Sequence, residues 1–162
     1  FALCDYGYPD LSYKLLLQET FPSWLYQVKQ GATTIWERWD SLRPDGFVED
    51  FGEDINNMVS FNHYALGSVG DFLYRRIAGI EANYLNPGYK EFKIEPKLGG
   101  NLTFANCKYH SIYGDIESNW KIEGNVFTID VVIPCNTTAQ IILPNQESYK
   151  VGSGKYQYQI NL

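Results

Sequence analysis

Apolar residues in the first part of the chain recur at helical spacing. Leu11, Leu15 and Leu16 fall on one helical face. Further along, Ser23 is a suitable N-cap for another short helix, and Gly31 is suited to follow its end. The pattern therefore predicts two short helices joined by a proline-containing loop.

A longer apolar stripe begins at Met58. Its members recur every three or four residues and predict about six turns of helix, at positions 58, 61, 65, 69, 72, 73, 77 and 80. Gly67 and Gly70 interrupt this stripe. Because glycine costs a helix about 1 kcal/mol relative to alanine, we expect both to allow close contact with a neighbouring helix.

The apolar period changes to two after the turn sequence Asn86–Lys90. Short alternating stretches follow at roughly ten-residue spacing and predict strands: "FKIEP", "LTFANCKY", "GDIESNWKI", "NVFTIDVVIP", "TAQIILP", "YKV" and "YQYQINL". Glu123–Asn125 and Gly152–Lys155 are typical of hairpin turns. We therefore predict helices and loops over 1–86 and an antiparallel β-sandwich over 87–162.

Composition narrows the class of protein without identifying a reaction. Hydrophobic residues make up 44% and charged residues 20%, as in ordinary globular proteins. The net charge of −6 and the lack of Lys/Arg clusters argue against a nucleic-acid partner. No apolar stretch reaches the roughly 18 residues of a membrane span. Aromatic residues are abundant at 16%, which fits core packing and also sugar-stacking surfaces.

The cysteines are few and widely separated. Cys4, Cys107 and Cys135 predict free, mostly buried thiols, because neither a disulfide framework nor a zinc site has this spacing. We expect no metal and no cofactor, since the chain has no glycine-rich phosphate loop and no Cys/His cluster. The start of the chain does not resemble a signal peptide.

An acidic loop, residues 42–57, precedes the apolar stripe. It holds five carboxylates between Asp45 and Asp54. A solvated loop and a rim beside a binding site both fit this pattern. The regular register of a calcium-binding loop is absent.

The stretch "GATTIWERWDS" places Glu37 between Trp36 and Trp39. A carboxylate between aromatic rings is poorly solvated when charged, which suits general acid or base catalysis. A structural alternative is an ion pair of Glu37 with Arg38 or Lys29.

A second candidate group lies in "SFNHYALG". Asn62 and His63 fall at or near the start of the predicted long helix, where an imidazole can hydrogen-bond a sugar hydroxyl or orient a carboxylate. A structural histidine packed between Phe61 and Tyr64 fits the same pattern. His110 lies in a predicted strand, and we expect no chemical role for it.

These motifs together resemble a known family. The segments "PSWLYQVKQGATTIWERWDS", "SFNHYALGSVGDFLYRRIAGI", "NPGYKEFKIEPKLGGNLTFANCKYHSIYGDIESNWK", "IPCNTTAQIILP" and "VGSGKY" resemble the C-terminal end of bacterial α-L-rhamnosidases of glycoside hydrolase family 78. The resemblance runs from about Asp10 to the end of the chain. It implies that residues 1–86 are the last helices and loops of an (α/α)6 toroid, followed by a β-sandwich.

The resemblance also implies roles for the candidate residues. The family removes terminal α-L-rhamnose with inversion, which needs a general acid and a general base. By resemblance, Glu37 is the base and His63 contacts rhamnose, with Asn62 beside it. Trp36 and Trp39 would be walls of the sugar pocket, and Trp36, the direct neighbour of the base, is the first choice for the ring that faces the sugar.

The general acid of the family lies in a motif that this chain does not contain. Asp5 and Asp10 have different surroundings. We therefore expect the segment alone to be inactive and its partners to be a rhamnose-containing glycoside and the rest of a parent catalytic domain. The apolar stripe should pack on the sandwich or drive self-association into a homo-oligomer. The parent's compartment, bacterial cytoplasm or periplasm, stays open.

Two other functions remain open from the residues alone. A non-catalytic carbohydrate-binding or structural β-sandwich would present Trp and Tyr side chains as an exposed platform. Another toroid enzyme, such as a different glycosidase or a lyase, would share the helices but not the "TTIWERWD" stretch.

Overall fold

The computed structural model describes residues 1–42 and 59–162. It divides into two compact units: residues 2–70, and residues 71–162 together with Phe1. Met58 and nearly all of the acidic loop predicted at 42–57 lie outside the described residues.

The first unit contains short helices: α1 (Ala2–Asp5), α2 (Pro9–Leu16), α3 (Trp24–Lys29) and α4 (Tyr64–Gly67). The two helices predicted from the first apolar pattern are confirmed as α2 and α3. The Ser23 side chain caps α3 by accepting the Tyr26 N–H at 3.0 Å. Gly31 follows with φ +84°, a backbone conformation that favours glycine.

The single long helix predicted over 58–80 is wrong. Helix α4 begins only at Tyr64, Ser68 separates it from α5 (Val69–Phe72), and a π-helical turn over Leu73–Ile77 follows. Gly79, at φ +82°, ends the helical stretch, so that Ile80 starts a strand. A Cβ added at Gly67 or Gly70 meets no described atom within 4 Å, so the close helix contact expected there is not seen among these residues.

The second unit contains the strands. In chain order they are β1 (Ile80–Ala82), β2 (Glu91–Ile94), β3 (Phe104–Ser111), β4 (Gly114–Glu123), β5 (Val126–Ile133), β6 (Thr138–Ile142), β7 (Ser148–Val151) and β8 (Gly154–Asn161). All seven predicted strands are confirmed, and the three-residue β1 is an addition. Within the described residues the strands form two four-stranded sheets, ordered β1-β2-β6-β7 and β3-β4-β5-β8.

The pairing is antiparallel except between β2 and β6, which run parallel. The Glu123–Asn125 hairpin is confirmed, because Glu123 pairs with Val126 across Gly124. The hairpin predicted at Gly152–Lys155 is wrong. Strand β7 pairs with β6 and strand β8 with β5, so this short link carries the chain from one sheet to the other.

The core of this unit consists of alternating apolar side chains from both sheets, including Ile94, Trp120, Phe127 and Ile141. Trp120 is 2% exposed, and its Nε1–H donates to the Ile77 carbonyl at 2.8 Å. All three cysteines are free, as predicted, but only Cys4 is buried; Cys135 is exposed.

A buried ion cluster surrounds Glu81 on β1. Lys93 Nζ lies 2.8 Å from Oε2, and Arg76 Nη1 lies 3.2 Å from Oε1. Burial alone would raise the pKa of Glu81, but hydrogen bonds from Lys93 and Arg75 and the charge of Arg76 lower this pKa to about 2. The cluster is therefore charged at neutral pH and anchors β1 beside the helical turn before it.

Candidate functional site

Two irregular segments of the first unit, around 34–37 and 60–63, lie side by side and bring the candidate residues together. The Glu37 N–H donates to the Ser60 carbonyl at 2.9 Å, and the His63 N–H donates to the Ile35 carbonyl at 2.9 Å. The Thr34 hydroxyl adds a bond to the Phe61 carbonyl. This pairing engages the backbone of 60–63 outside a helix, which explains why the predicted helix does not start before Tyr64.

The carboxylate of Glu37 has two differently placed oxygens. Oε2 accepts the Ser60 N–H at 2.8 Å, while Oε1 lies 4.0 Å from His63 Nε2. The side chains of Glu37 and His63 are 37% and 41% exposed. Because Oε2 is already an acceptor of a backbone N–H, a proton taken up by this carboxyl group goes to Oε1. The oxygen facing His63 is thus the candidate acceptor of a proton.

The imidazole of His63 is held in one orientation by helix α4. Its Nδ1 accepts the Ala65 N–H at 3.2 Å and so caps the helix. A neutral ring whose Nδ1 accepts a hydrogen bond carries its proton on Nε2. His63 therefore presents an N–H donor on the side of Glu37.

The tryptophans on either side of Glu37 have different surroundings. Trp36 is 3% exposed and contacts Phe61 edge to face, with ring centroids 5.6 Å apart. Trp39 is half-buried and contacts Trp24 edge to face at 5.0 Å. Trp36 is thus buried beside the Glu37 segment, whereas part of Trp39 faces solvent. The predicted substrate contacts of both rings stay predictions.

Gln27, on helix α3, was not singled out by the sequence pattern. It is 2% exposed, its Oε1 accepts the Trp36 N–H at 3.2 Å, and its Nε2 donates to the Arg38 carbonyl at 3.1 Å. The side-chain amide thus bonds the main chain on both sides of Glu37. The sequence signal that could have identified Gln27 is a polar residue three positions after Trp24, on the face of α3 that packs inward.

The remaining predicted residues lie nearby or elsewhere. The side chain of Asn62 is exposed, and its N–H donates to Ser60 Oγ at 3.2 Å. Lys29, one proposed ion-pair partner of Glu37, pairs with Glu19. His110 lies on β3, with Nδ1 2.8 Å from Asp115 Oδ1.

Over residues 1–42 and 59–162, no three His, Cys, Asp or Glu side chains gather in a way that could hold a metal ion. In the same ranges no helix combines the length and apolar character needed to cross a membrane.

Family models match the two parts of the chain separately. Residues 1–77 match the bacterial alpha-L-rhamnosidase 6 hairpin glycosidase domain, and residues 79–157 match the bacterial alpha-L-rhamnosidase C-terminal domain.

Curated relatives carry the same name. The chain is 43% identical over 143 residues to an alpha-L-rhamnosidase of Streptomyces avermitilis, covering 88% of this chain and 13% of the relative. It is 43% identical over 164 residues to an alpha-L-rhamnosidase of Formosa agariphila, covering 99% of this chain and 17% of the relative. The chain thus spans less than a fifth of the length of either relative.

Solved structures agree in fold. The Streptomyces avermitilis alpha-L-rhamnosidase complexed with L-rhamnose matches 98% of this chain and 17% of its own, with a TM-score of 0.87 and 36% identity. The alpha-L-rhamnosidase of Aspergillus terreus matches 98% of this chain and 18% of its own, with a TM-score of 0.88 and 40% identity. The chain therefore belongs to the bacterial alpha-L-rhamnosidase family, in which its helices are part of the six-hairpin glycosidase domain and its sheets form the C-terminal domain.

Proposed function

We propose that this chain is a segment of a longer inverting glycoside hydrolase that removes terminal α-L-rhamnose, and that Glu37 is its general base. The observation that carries the proposal is the carboxylate of Glu37, with Oε2 bonded to the Ser60 N–H and Oε1 4.0 Å from His63 Nε2. We call the longer enzyme the parent chain.

The geometry of Glu37 suits the activation of water. In an inverting reaction the base takes a proton from a water molecule that attacks the anomeric carbon, while an acid on the opposite face protonates the leaving oxygen. Oε1 is the oxygen left to receive that proton. The Glu37 side chain is 37% exposed, so the carboxylate can reach a substrate placed above it.

The position of His63 supports a role in holding the sugar. Two polar atoms 4.0 Å apart, as Oε1 and Nε2 are, can both hydrogen-bond one oxygen at about 2.8 Å from each. A sugar hydroxyl or the reacting water fits that position. We assign the Nε2–H of His63 to substrate contact, with Asn62 and Trp39 as further contacts and Trp36 as the ring that supports the base.

The C-terminal sheets have a structural role in this proposal. Trp120, the single tryptophan of residues 87–162, is buried with its N–H bonded to the main chain, so it offers no face to a sugar. The burial of Trp120 therefore gives no support to a tryptophan platform on the sheets.

The test is the substitution Glu37→Gln in the parent chain, assayed on an aryl α-L-rhamnoside. We expect kcat to fall by roughly 10²–10⁴-fold, the usual contribution of a general base. Glu147→Gln, at an exposed position outside the site, is the matched control and should leave kcat unchanged. A parent chain that keeps its activity after Glu37→Gln would refute the assignment.

A second measurement concerns the segment alone. Because the general acid lies outside this chain in the proposal, residues 1–162 should show no turnover of the same substrate. Turnover by the isolated segment that disappears with Glu37→Gln would show that both catalytic groups are present here.

A further inference from the structure

We propose that Gln27 is a positioning residue for Glu37: its buried amide bonds the main chain on both sides of Glu37 and so fixes the direction of the carboxylate. This inference rests on the proposed role of Glu37 as general base.

The segment that carries Glu37 needs such support. Residues 33–42 belong to no helix or strand, so no regular hydrogen-bond ladder fixes their backbone. The Glu37 N–H is bonded to Ser60, and Gln27 bonds the Trp36 N–H and the Arg38 carbonyl, which lie one peptide group further out on each side. Without Gln27, these outer peptide groups would lose their bonding partner, and the direction in which the Glu37 side chain leaves the main chain would vary more.

The chemistry of the contact suits an amide. Gln27 must accept from the Trp36 N–H at 3.2 Å and donate to the Arg38 carbonyl at 3.1 Å. The carboxamide of Gln27 offers an acceptor and a donor side by side on one planar group. Asn has the same carboxamide, but its side chain is one carbon shorter and would not reach both bonding partners. A polar side chain 2% exposed is tolerated when its bonds are satisfied, as both are here.

Helix α3 fixes the position of the Gln27 backbone. Ser23 caps the helix, and Trp24, one turn before Gln27, packs on Trp39 and donates its Nε1–H to the Leu66 carbonyl at 2.9 Å. One face of α3 therefore contacts the Glu37 segment on both sides of the carboxylate. Small errors in the direction of a catalytic group can cost about 10²-fold in rate.

The central experiment is a double-mutant cycle in the parent chain, with Gln27→Met, Glu37→Gln and the double variant. Methionine has a volume similar to that of glutamine but lacks both the amide acceptor and the amide donor. We expect Gln27→Met to lower kcat roughly 10–100-fold with KM within about twofold of wild type. In the Glu37→Gln background the same substitution should cost less than about twofold, because Gln27 acts through Glu37.

A matched control separates positioning from stability. Ser23→Ala removes the cap of the same helix but leaves the amide of Gln27 in place. At a temperature where circular dichroism shows every variant folded, Ser23→Ala should keep kcat within about twofold of wild type. A similar loss of kcat in Ser23→Ala and Gln27→Met would overturn the proposal in favour of a structural role.

The variant Gln27→Glu adds a pH readout. When the introduced carboxyl group is protonated it can donate to the Arg38 carbonyl, whereas the ionised carboxylate repels that carbonyl. The kcat of Gln27→Glu relative to wild type should therefore fall as the pH rises, while the ratio for Gln27→Met stays constant. A pH-independent ratio for both variants would count against the amide contact.

The outcomes distinguish the two proposals. If Glu37→Gln is inactive and Gln27→Met keeps full kcat, the positioning role fails and the general base stands. If Glu37→Gln keeps full kcat, the general base fails, and the positioning role fails with it. Equal losses for Gln27→Met in both backgrounds would show that Gln27 acts independently of Glu37, which also overturns the inference.

Discussion

His63 Nε2 lies 4.0 Å from Glu37 Oε1, although 25 residues separate the two in the chain. The backbone pairing of 35–37 with 60–63 sets this distance. The cap of helix α4 sets which ring nitrogen faces the carboxylate. The same imidazole therefore has a structural contact on one nitrogen and a candidate substrate contact on the other.

The two contacts of His63 can be separated by substitution. Asn is a good N-cap, so His63→Asn should keep helix α4 capped while it removes the Nε2–H. We expect kcat/KM of the parent chain to fall roughly 10–100-fold in His63→Asn, as for the loss of one substrate hydrogen bond. Thermal unfolding should change little.

His63→Ala is the comparison for that variant. It removes both contacts, so it should lose similar activity and in addition about 1 kcal/mol of stability from the missing cap. Unchanged kcat/KM in His63→Asn would leave His63 as a purely structural histidine.

The ion cluster around Glu81 should contribute to stability. Glu81→Gln leaves Lys93 and two arginines around a neutral side chain, and breaking a buried ion pair of this kind costs roughly 3–5 kcal/mol. Urea unfolding measures this loss. Glu91→Gln, an exposed position on the neighbouring strand β2, should change stability by less than about 0.5 kcal/mol.

The same cluster predicts an acid-dependent loss of stability. The pKa of Glu81 is lowered from 4.5 to about 2 on folding, so the unfolded chain binds the proton first as the pH falls. The contribution of Glu81 is complete above about pH 5 and declines between pH 4.5 and 2. The difference in unfolding free energy between wild type and Glu81→Gln should shrink over that range; a constant difference would contradict the lowered pKa.

Gly79 joins the helical turn to β1 in a conformation that other residues rarely adopt. Its φ is +82°, and an added Cβ would lie 2.3 Å from the Pro96 nitrogen. Gly79→Ala should therefore destabilise the chain by roughly 3 kcal/mol, from strain and overpacking together. Gly70→Ala, where no described atom lies within 4 Å, should be neutral or stabilising by up to about 1 kcal/mol. Similar unfolding midpoints for the two variants would contradict this explanation.

The strands were predictable because the alternation of apolar and polar residues is a local pattern. The pairing partner of each strand was not predictable from that pattern. The sequence of Gly152–Lys155 is that of a tight turn, but β8 pairs with β5 and β7 with β6, and the turn residues do not specify these long-range partners. Likewise, the apolar spacing predicted a helix through 60–63. That spacing carries no information on the hydrogen bonds from the Glu37 N–H to Ser60 and from the His63 N–H to Ile35, which hold these residues outside the helix.

The candidate site was predictable only in part for the same reason. Glu37 and His63 stand in distinctive motifs, so the sequence singled out both. Gln27 appears in the sequence as an ordinary helix residue, and its role depends on where the loop after α3 returns. The burial of Trp36 likewise depends on its contact with Phe61, which is distant in the chain.

The most direct test of the central claim removes the Glu37 carboxylate and supplies a nucleophile that does not need a general base. Azide attacks without losing a proton, so it should restore aryl rhamnoside cleavage by a Glu37→Ala variant of the parent chain and yield a β-L-rhamnosyl azide, with inverted configuration. A rhamnosyl azide with retained α configuration, or wild-type hydrolysis by Glu37→Ala without azide, would contradict the assignment of Glu37 as the general base.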